Sequence, residues 1–392
     1  MRVPLLDLSQ QYTALAEPIR AQVEEVLSTQ NFILGPKVEA FEKAVADYCA
    51  APHAIGVSSG TDALLAVFMA MGLGSGDAVV TSDYSFFATG GCIARVGATP
   101  VFIDIDPVTY NLSPAALERY LTGSCQREND GSVRTPNGHK LRAIVPVHLY
   151  GQCCDMEPVL ESAARFGLEV IEDAAQALGS EYLLRGKISK AGTMGNSGTF
   201  SFYPSKNLGA AGDAGMIVCQ DAAFAKQVRD CRQHGMEPRY YHHFIGGNFR
   251  LDEIQAAILG VKLPHLDEWS AARRGVADFY REEFKRLGLT DLITLPAEPD
   301  RGLTHHHIYH QYVIRTARRD ALREHLTRKE IGTAIYYPLA LHEQECFRYL
   351  GYRADDFPES ERAARETLAL PIYPELSRDA QRYVVESIAE FF

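Results

Sequence analysis

Residues Thr199 to Met216 read TFSFYPSKNLGAAGDAGM. A short β-prone run, Phe200 to Tyr203, breaks at Pro204, and Lys206 follows in a turn. Gly209, Gly212 and Gly215 come after Asn207, with only Leu208, alanines and Asp213 between them. A lysine on a sharp turn, beside a hydroxyl and adaptable backbone, suits Schiff-base chemistry. A partly desolvated amine loses its proton more easily and becomes nucleophilic. Taken alone, the stretch also reads as a surface lysine in a glycine-rich loop.

Three upstream segments bear on that choice. Glu172-Asp173-Ala174-Ala175-Gln176-Ala177 follows the apolar Leu168, Val170 and Ile171. That pattern places Asp173 at the C-terminal end of a buried strand, where open α/β sheets keep ligand-contacting residues. A carboxylate there can pair with the pyridine nitrogen of pyridoxal phosphate, so that the ring accepts electrons; it can equally cap a helix. Val57 to Leu65, VSSGTDALL, reads as strand, glycine turn and apolar helix. Helix N-terminal N–H groups beside the Ser59 and Thr61 hydroxyls form an anion site suited to a phosphate. Asp83 to Thr89, DYSFFAT, follows the strand Ala78–Thr81, and one of its aromatics can stack on a flat ring or pack in the core.

Phosphate cradle, aromatic, strand-end aspartate and lysine, in this order, make the chain resemble the fold type I pyridoxal-phosphate enzymes. Within them it is similar to the DegT/StrS-type nucleotide-sugar aminotransferases. The resemblance runs essentially end to end: LLDL at Leu5–Leu8, FILGP at Phe32–Pro36, SSGTDAL, YSFFAT, PVHLYGQ at Pro146–Gln152, EDAAQA, SFYPSKNLG, GNFRLD at Gly247–Asp252, YYP at Tyr336–Pro338 and LPIYP at Leu370–Pro374. The fold it implies is a mostly parallel sheet sandwiched by helices, with a smaller C-terminal α+β domain.

The resemblance implies a role for each matching residue. Lys206 forms the imine with the cofactor and shuttles the proton, Asp173 bonds the pyridine nitrogen, and Gln176 reaches the phenolic oxygen. Phe86 stacks on the ring, and Gly60, Thr61 and Ser201 hold the phosphate. Asn248 is the phosphate ligand given by the other subunit of a homodimer. Arg250 is placed to meet an acidic group of the substrate, or else to form a salt bridge in the helix that starts near Leu251. His148, Tyr150, Tyr336 and Tyr337 are placed on the substrate side. Tyr336 stands where the family commonly has a histidine. Lys206 is intact, whereas relatives with histidine there dehydrate instead of aminating.

The implied reaction moves an amino group from glutamate, by way of pyridoxamine phosphate, to a keto group of a dTDP- or UDP-linked hexose. The PVHLYGQ segment resembles members that aminate C3 more than those that aminate C4, with Tyr150 near the sugar. Amination at C4 is one alternative. A fold type I enzyme acting on plain amino acids would lack PVHLYGQ and GNFRLDEIQAA, and a regulatory, non-catalytic member would not need Lys206, Asp173 and Gln176 together.

Composition is compatible with a cytoplasmic enzyme. The net charge of −11 over 392 residues, with no basic tract, argues against nucleic-acid binding. The start MRVPLLDLSQQY lacks a signal-peptide apolar region, and no apolar run reaches membrane-spanning length. Eight cysteines without CxxC spacing read as reduced thiols. His305, His306, His307 and His310 have no acidic or cysteine partner at ligand spacing, so no metal is expected.

Strand-like runs from Ile55 to Cys219 alternate with helical patterns and predict the parallel sheet. A large cofactor-binding domain over 1–264 and a small domain over 265–392, opened by a bridging helix from His265 to Leu287, follow from that alternation. The small domain is expected to contain strands Tyr312–Arg315 and Thr333–Tyr336 and helices Asp320–Lys329 and Arg378–Phe391. Thr122 to Leu141, polar and turn-rich, is expected to be a surface loop.

Overall fold

The computed structural model describes residues 1–392. Strands β1 (His53–Val57), β2 (Asp77–Ser82) and β3 (Thr99–Ile103) come first, followed by the short β4 (Gln126–Arg127) and β5 (Val133–Arg134). Next are β6 (Lys140–Val145), β7 (Glu169–Asp173), the hairpin β8 (Glu181–Leu184) and β9 (Lys187–Lys190), β10 (Ser197–Ser201) and β11 (Gly215–Cys219). The central sheet runs β1-β11-β10-β7-β6-β2-β3. β10, β7, β6, β2 and β3 pair in parallel, and β11 runs antiparallel to both β10 and β1.

Both faces of this sheet are dry because successive side chains point to opposite sides. Val80, Ile144, Val170 and Met216 pack with α1 (Ser9–Thr29), α2 (Pro36–Cys49) and, later in the chain, α5 (Pro114–Gly123), α6 (Met156–Phe166) and α8 (Glu253–Lys262). Their neighbours Val79, Val145, Ile171 and Ile217 pack with α3 (Gly60–Ala70), α4 (Phe87–Arg95) and α7 (Ala222–Cys231). The middle of most strands thus carries consecutive apolar residues, as in Ala78–Val80, Ala143–Val145 and Val170–Ile171.

Beyond α8 a second buried cluster forms. It joins Tyr280 and Phe284 of α9 (Leu266–Arg286), Tyr312 and Ile314 of β12 (Tyr312–Arg315), Leu322 and Leu326 of α10 (Arg319–Arg328) and Leu368 and Leu370 of β13 (Thr367–Leu370). Helices α11 (Pro358–Glu366) and α12 (Arg378–Ala389) complete the chain, and α12 adds Val384, Val385 and Ile388. Val3 is buried in this cluster and bridges Ile331 in parallel, so the first residues pack with the C-terminal part rather than with the rest of 1–264.

Two expectations are corrected. Thr333–Tyr336 is not a strand: only Ala334 bridges Ala369, and the partner of β12 is β13, a short apolar run between a helix and Pro371. Thr122–Leu141 is not a plain loop: β4 and β5 form a hairpin that extends the sheet from β6 and buries Val133. No helix is long and apolar enough to cross a membrane.

Candidate active site

The segments that leave the C-terminal ends of β1, β2, β7 and β10 surround one cleft of about 510 Å³. This is where an open α/β sheet exposes loop backbone and helix N-termini together. Lys206 follows β10 on a turn closed by its N–H donating to the Tyr203 carbonyl at 2.8 Å. Its side chain is half-buried in the cleft. Burial pulls the amine down to about 8, while nearby Asp173 acts in the opposite direction.

Asp173 ends β7 and is buried. Its Oδ2 accepts from the Thr89 hydroxyl at 2.7 Å, and its Oδ1 accepts from the Ala175 N–H at 3.2 Å. Gln176 Oε1 accepts from the Tyr150 N–H at 2.7 Å, and its Nε2 donates to the Tyr337 hydroxyl at 3.1 Å. One amide N–H of Gln176 remains for the cleft.

Opposite these groups, Ser59 caps α3 by accepting from the Asp62 N–H at 3.0 Å, and Gly60 and Thr61 open the helix. A Cβ on Gly60 would come within 2.7 Å of Ser201 Cβ, so helix start and strand end meet here without room for a side chain. Hydroxyls of Ser59, Thr61 and Ser201 line the cleft beside the free N–H groups of α3. Phe86 lines it too, with its ring 55% exposed and so free to stack.

An anion cradle, an open aromatic face, a fixed carboxylate and a lysine of lowered basicity fit pyridoxal phosphate. When bound, that cofactor supplies an electron-accepting ring to a carbon that is losing a proton. Gly60, Thr61 and Ser201 would hold its phosphate, Phe86 its ring face, Asp173 its pyridine nitrogen and Lys206 its carbonyl carbon.

The structure brings Gly60, Thr61, Phe86, Asp173, Gln176, Ser201, Lys206, Tyr336 and Tyr337 to this cleft. It places four expected residues elsewhere. His148 is fully buried, with Nε2 2.8 Å from a Glu172 carboxylate oxygen and Nδ1 accepting from the Cys154 N–H at 2.9 Å, so both ring nitrogens are committed inside the protein. Tyr150 is buried too, its hydroxyl turned onto Tyr84 and the Tyr336 carbonyl, so it cannot lie against a sugar. Asn248 is exposed and bridges Gln233, outside the chain's own cleft. Arg250 bridges Val57 through its backbone, its Nε has no partner, and it does not line the cleft either.

Some cleft residues had no signal of their own in the sequence. His310 lies in a histidine-rich stretch to which the sequence assigned no role, and it lines the cleft with an unpartnered Nδ1. Burial first, then the positive charges of Lys206 and Arg273, keep its imidazole neutral. The other histidines of the stretch face different partners: His306 meets Glu298, His305 meets Arg274, and His307 stacks on Tyr309. No three His, Cys, Asp or Glu side chains are grouped to hold a metal ion. Thr89 was legible only as part of DYSFFAT, and Glu172 only as the partner of Asp173 in EDAAQA.

Known proteins share this plan. The model of the DegT/DnrJ/EryC1/StrS aminotransferase family matches residues 13–389. The chain is 47% identical to the "Pleiotropic regulatory protein" of Geobacillus stearothermophilus, over 100% of this chain and 99% of that protein. It is 38% identical to the UDP-N-acetyl-3-dehydro-alpha-D-glucosamine 3-aminotransferase of Acidithiobacillus ferrooxidans, over 96% of this chain and 94% of that one. Among solved structures, S. venezuelae DesV in complex with a ketimine intermediate superposes with a TM-score of 0.89 at 36% identity, covering 99% of this chain and 98% of that one. With its lysine, its strand-end aspartate and its anion cradle in one cleft, the chain belongs to the pyridoxal-phosphate-dependent DegT/DnrJ/EryC1/StrS aminotransferase family.

Proposed function

We propose that this protein transfers an amino group from glutamate to the C3 keto group of a dTDP- or UDP-linked hexose. The observation that carries the reading is Lys206, an amine of lowered basicity facing Asp173 across a cleft that also holds an anion cradle. Lys206 Nζ takes the proton from the donor's α-carbon and later returns one to the carbon being aminated. Asp173 is kept in place by Thr89 and the Ala175 N–H, where it would meet the ring nitrogen. His310, Gln311 and Tyr336 line the cleft with uncharged polar groups suited to sugar hydroxyls.

Position C3 is favoured by the relative whose name specifies a 3-aminotransferase acting on a UDP-linked 3-dehydro sugar. Tyr150 no longer supports that choice, because it is buried away from the cleft. A homodimer with shared sites is supported by Asn248 and Arg250 lying outside their own cleft, near an exposed loop bearing Tyr240, Tyr241 and Ile245. A cytoplasmic location is supported by eight free cysteines.

The test is to mix the pyridoxal-form protein with panels of 3-amino and 4-amino nucleotide sugars and follow the cofactor absorbance. Conversion by 3-amino sugars is expected. Conversion by 4-amino sugars alone would overturn the position. The regulatory name of the Geobacillus relative motivates a second reading, and cofactor binding without conversion by any sugar would favour it.

A further inference from the structure

Hydrogen bonds around residues 336 and 337 close on themselves just behind the cleft. The Tyr84 phenol grips both ends of one peptide unit. Its hydroxyl donates to the Tyr336 carbonyl at 2.6 Å and accepts from the Tyr337 N–H at 2.8 Å. The Tyr150 hydroxyl donates to the same carbonyl, and the Thr367 hydroxyl braces Tyr84 at 2.9 Å. From the other direction, Tyr150 donates its backbone N–H to Gln176, and Gln176 donates to the Tyr337 hydroxyl. Tyr150 therefore fixes Gln176 through its backbone, and the peptide unit that joins Tyr336 to Tyr337 through its side chain.

Burial divides the four residues by task. Tyr84 is 1% exposed and Tyr150 4%, and neither lines the cleft. Gln176 and Tyr337 do line it, with Asp173 and Lys206. Burial holds the Tyr337 phenol well above its ordinary range, so it keeps its proton, although the bond from Gln176 works the other way. Its oxygen already accepts from Gln176, which leaves that proton to be donated. Gln176 likewise keeps one N–H unused. Two donors held side by side in a site of low polarity stabilise an anionic oxygen better than either alone.

We propose that Tyr84 and Tyr150 are positioning residues that hold the Tyr337 hydroxyl and the Gln176 amide as a paired donor for one anionic oxygen on the cofactor ring. This rests on the reading of the cleft as the cofactor site. With the cofactor bound, donors to that oxygen would stabilise its anionic form and so ease loss of a proton from the site. Loosening them makes the bound cofactor titrate at higher pH.

The experiment is a pH titration of bound-cofactor absorbance in Tyr84→Phe, Tyr150→Phe, the double variant and Tyr337→Phe. Phenylalanine keeps the ring packing in each. Tyr337→Phe is expected to raise the midpoint by about one pH unit, and the double variant by about half of that or more. A double variant that titrates like the parent while Tyr337→Phe is shifted would overturn the positioning role. An unshifted Tyr337→Phe would overturn the donor itself. If the double variant does not fold, Tyr150→Phe decides, since it keeps the backbone bond to Gln176. A parent protein with no borohydride-fixed adduct on Lys206 overturns the cofactor reading and this proposal with it. A parent with the adduct and unmoved midpoints overturns this proposal alone.

Discussion

The Thr89 hydroxyl lies 2.7 Å from Asp173 Oδ2 and ties the first turn of α4 to the end of β7. Two sequence segments 84 residues apart are thereby locked together at the wall of the cleft. Thr89→Val keeps the shape of the side chain and removes the donor. A hydrogen bond to a charged group contributes about 1.5–3 kcal/mol, so affinity for pyridoxal phosphate should fall about tenfold or more. Fluorescence titration of the cofactor-free protein checks this, and unchanged affinity would show that Ala175 suffices to hold Asp173.

Lys206 gives a pH prediction. Folding pulls its amine from the ordinary lysine value of 10.5 to about 8, so the uncharged, reactive form is already abundant at mildly alkaline pH. Below that midpoint each pH unit removes about nine-tenths of the neutral form. The rate at which cofactor-free protein captures pyridoxal phosphate covalently should climb up to pH ~8 and level off above it. A rate still rising steeply beyond pH ~9.5 would mean an unshifted lysine. Lys206→Ala should abolish turnover yet still bind the cofactor through the α3 cradle, and borohydride labelling of Lys187 or Lys190 instead would move the assignment.

The proposed sharing of sites between subunits makes an assembly prediction. Lys206→Ala and Asn248→Ala subunits, each inactive alone, should regain activity when exchanged into mixed dimers, because one of the two sites then keeps both residues. Random exchange at equal amounts predicts recovery of about a quarter of the parent activity. Mass spectrometry verifies the exchange, and verified hybrids without activity would place Asn248 outside the partner's site.

Glu172 offers a stability prediction. One oxygen accepts from Met194 and Gly195 N–H groups at 2.7 and 2.6 Å, and the other from Gly192 N–H at 2.7 Å and from His148. Glu172→Gln would turn a donor group toward other donors in a fully buried place. The loss should be about 3 kcal/mol or more, read as a lower denaturant midpoint with the cofactor absent. An unchanged midpoint would mean that water or a shifted loop replaces the carboxylate.

The sheet and the meeting of Asp173 and Lys206 in one cleft were legible because each lies where a local pattern is strong. β7 announces itself by Val170 and Ile171 before Asp173, and β10 by its apolar run before Pro204. His148 and Tyr150 were misplaced for the opposite reason: motif membership says nothing about which way a side chain turns, and theirs turn into the core to meet Glu172 and Tyr84. β13 was missed because four residues between a helix and a proline carry too little periodicity to separate strand from helix end. His310 was hidden among histidines whose partners are set only by the folded chain.

The glycines after Lys206 have a consequence opposite to the looseness that such residues suggest. A Cβ on Gly209 would fall 2.3 Å from the Pro204 carbonyl oxygen, and one on Gly215 would fall 2.4 Å from that of Ser59. Lys262 and Gln255 of α8 bond to the Gly209 carbonyl and the Ala211 N–H. Here the missing side chains let main chain touch main chain, and the lysine rides on a dense plate. A methyl group added at Gly209 or Gly215 would have to push main chain aside beside the lysine turn, so crowding, not flexibility, is what glycine serves at those two positions.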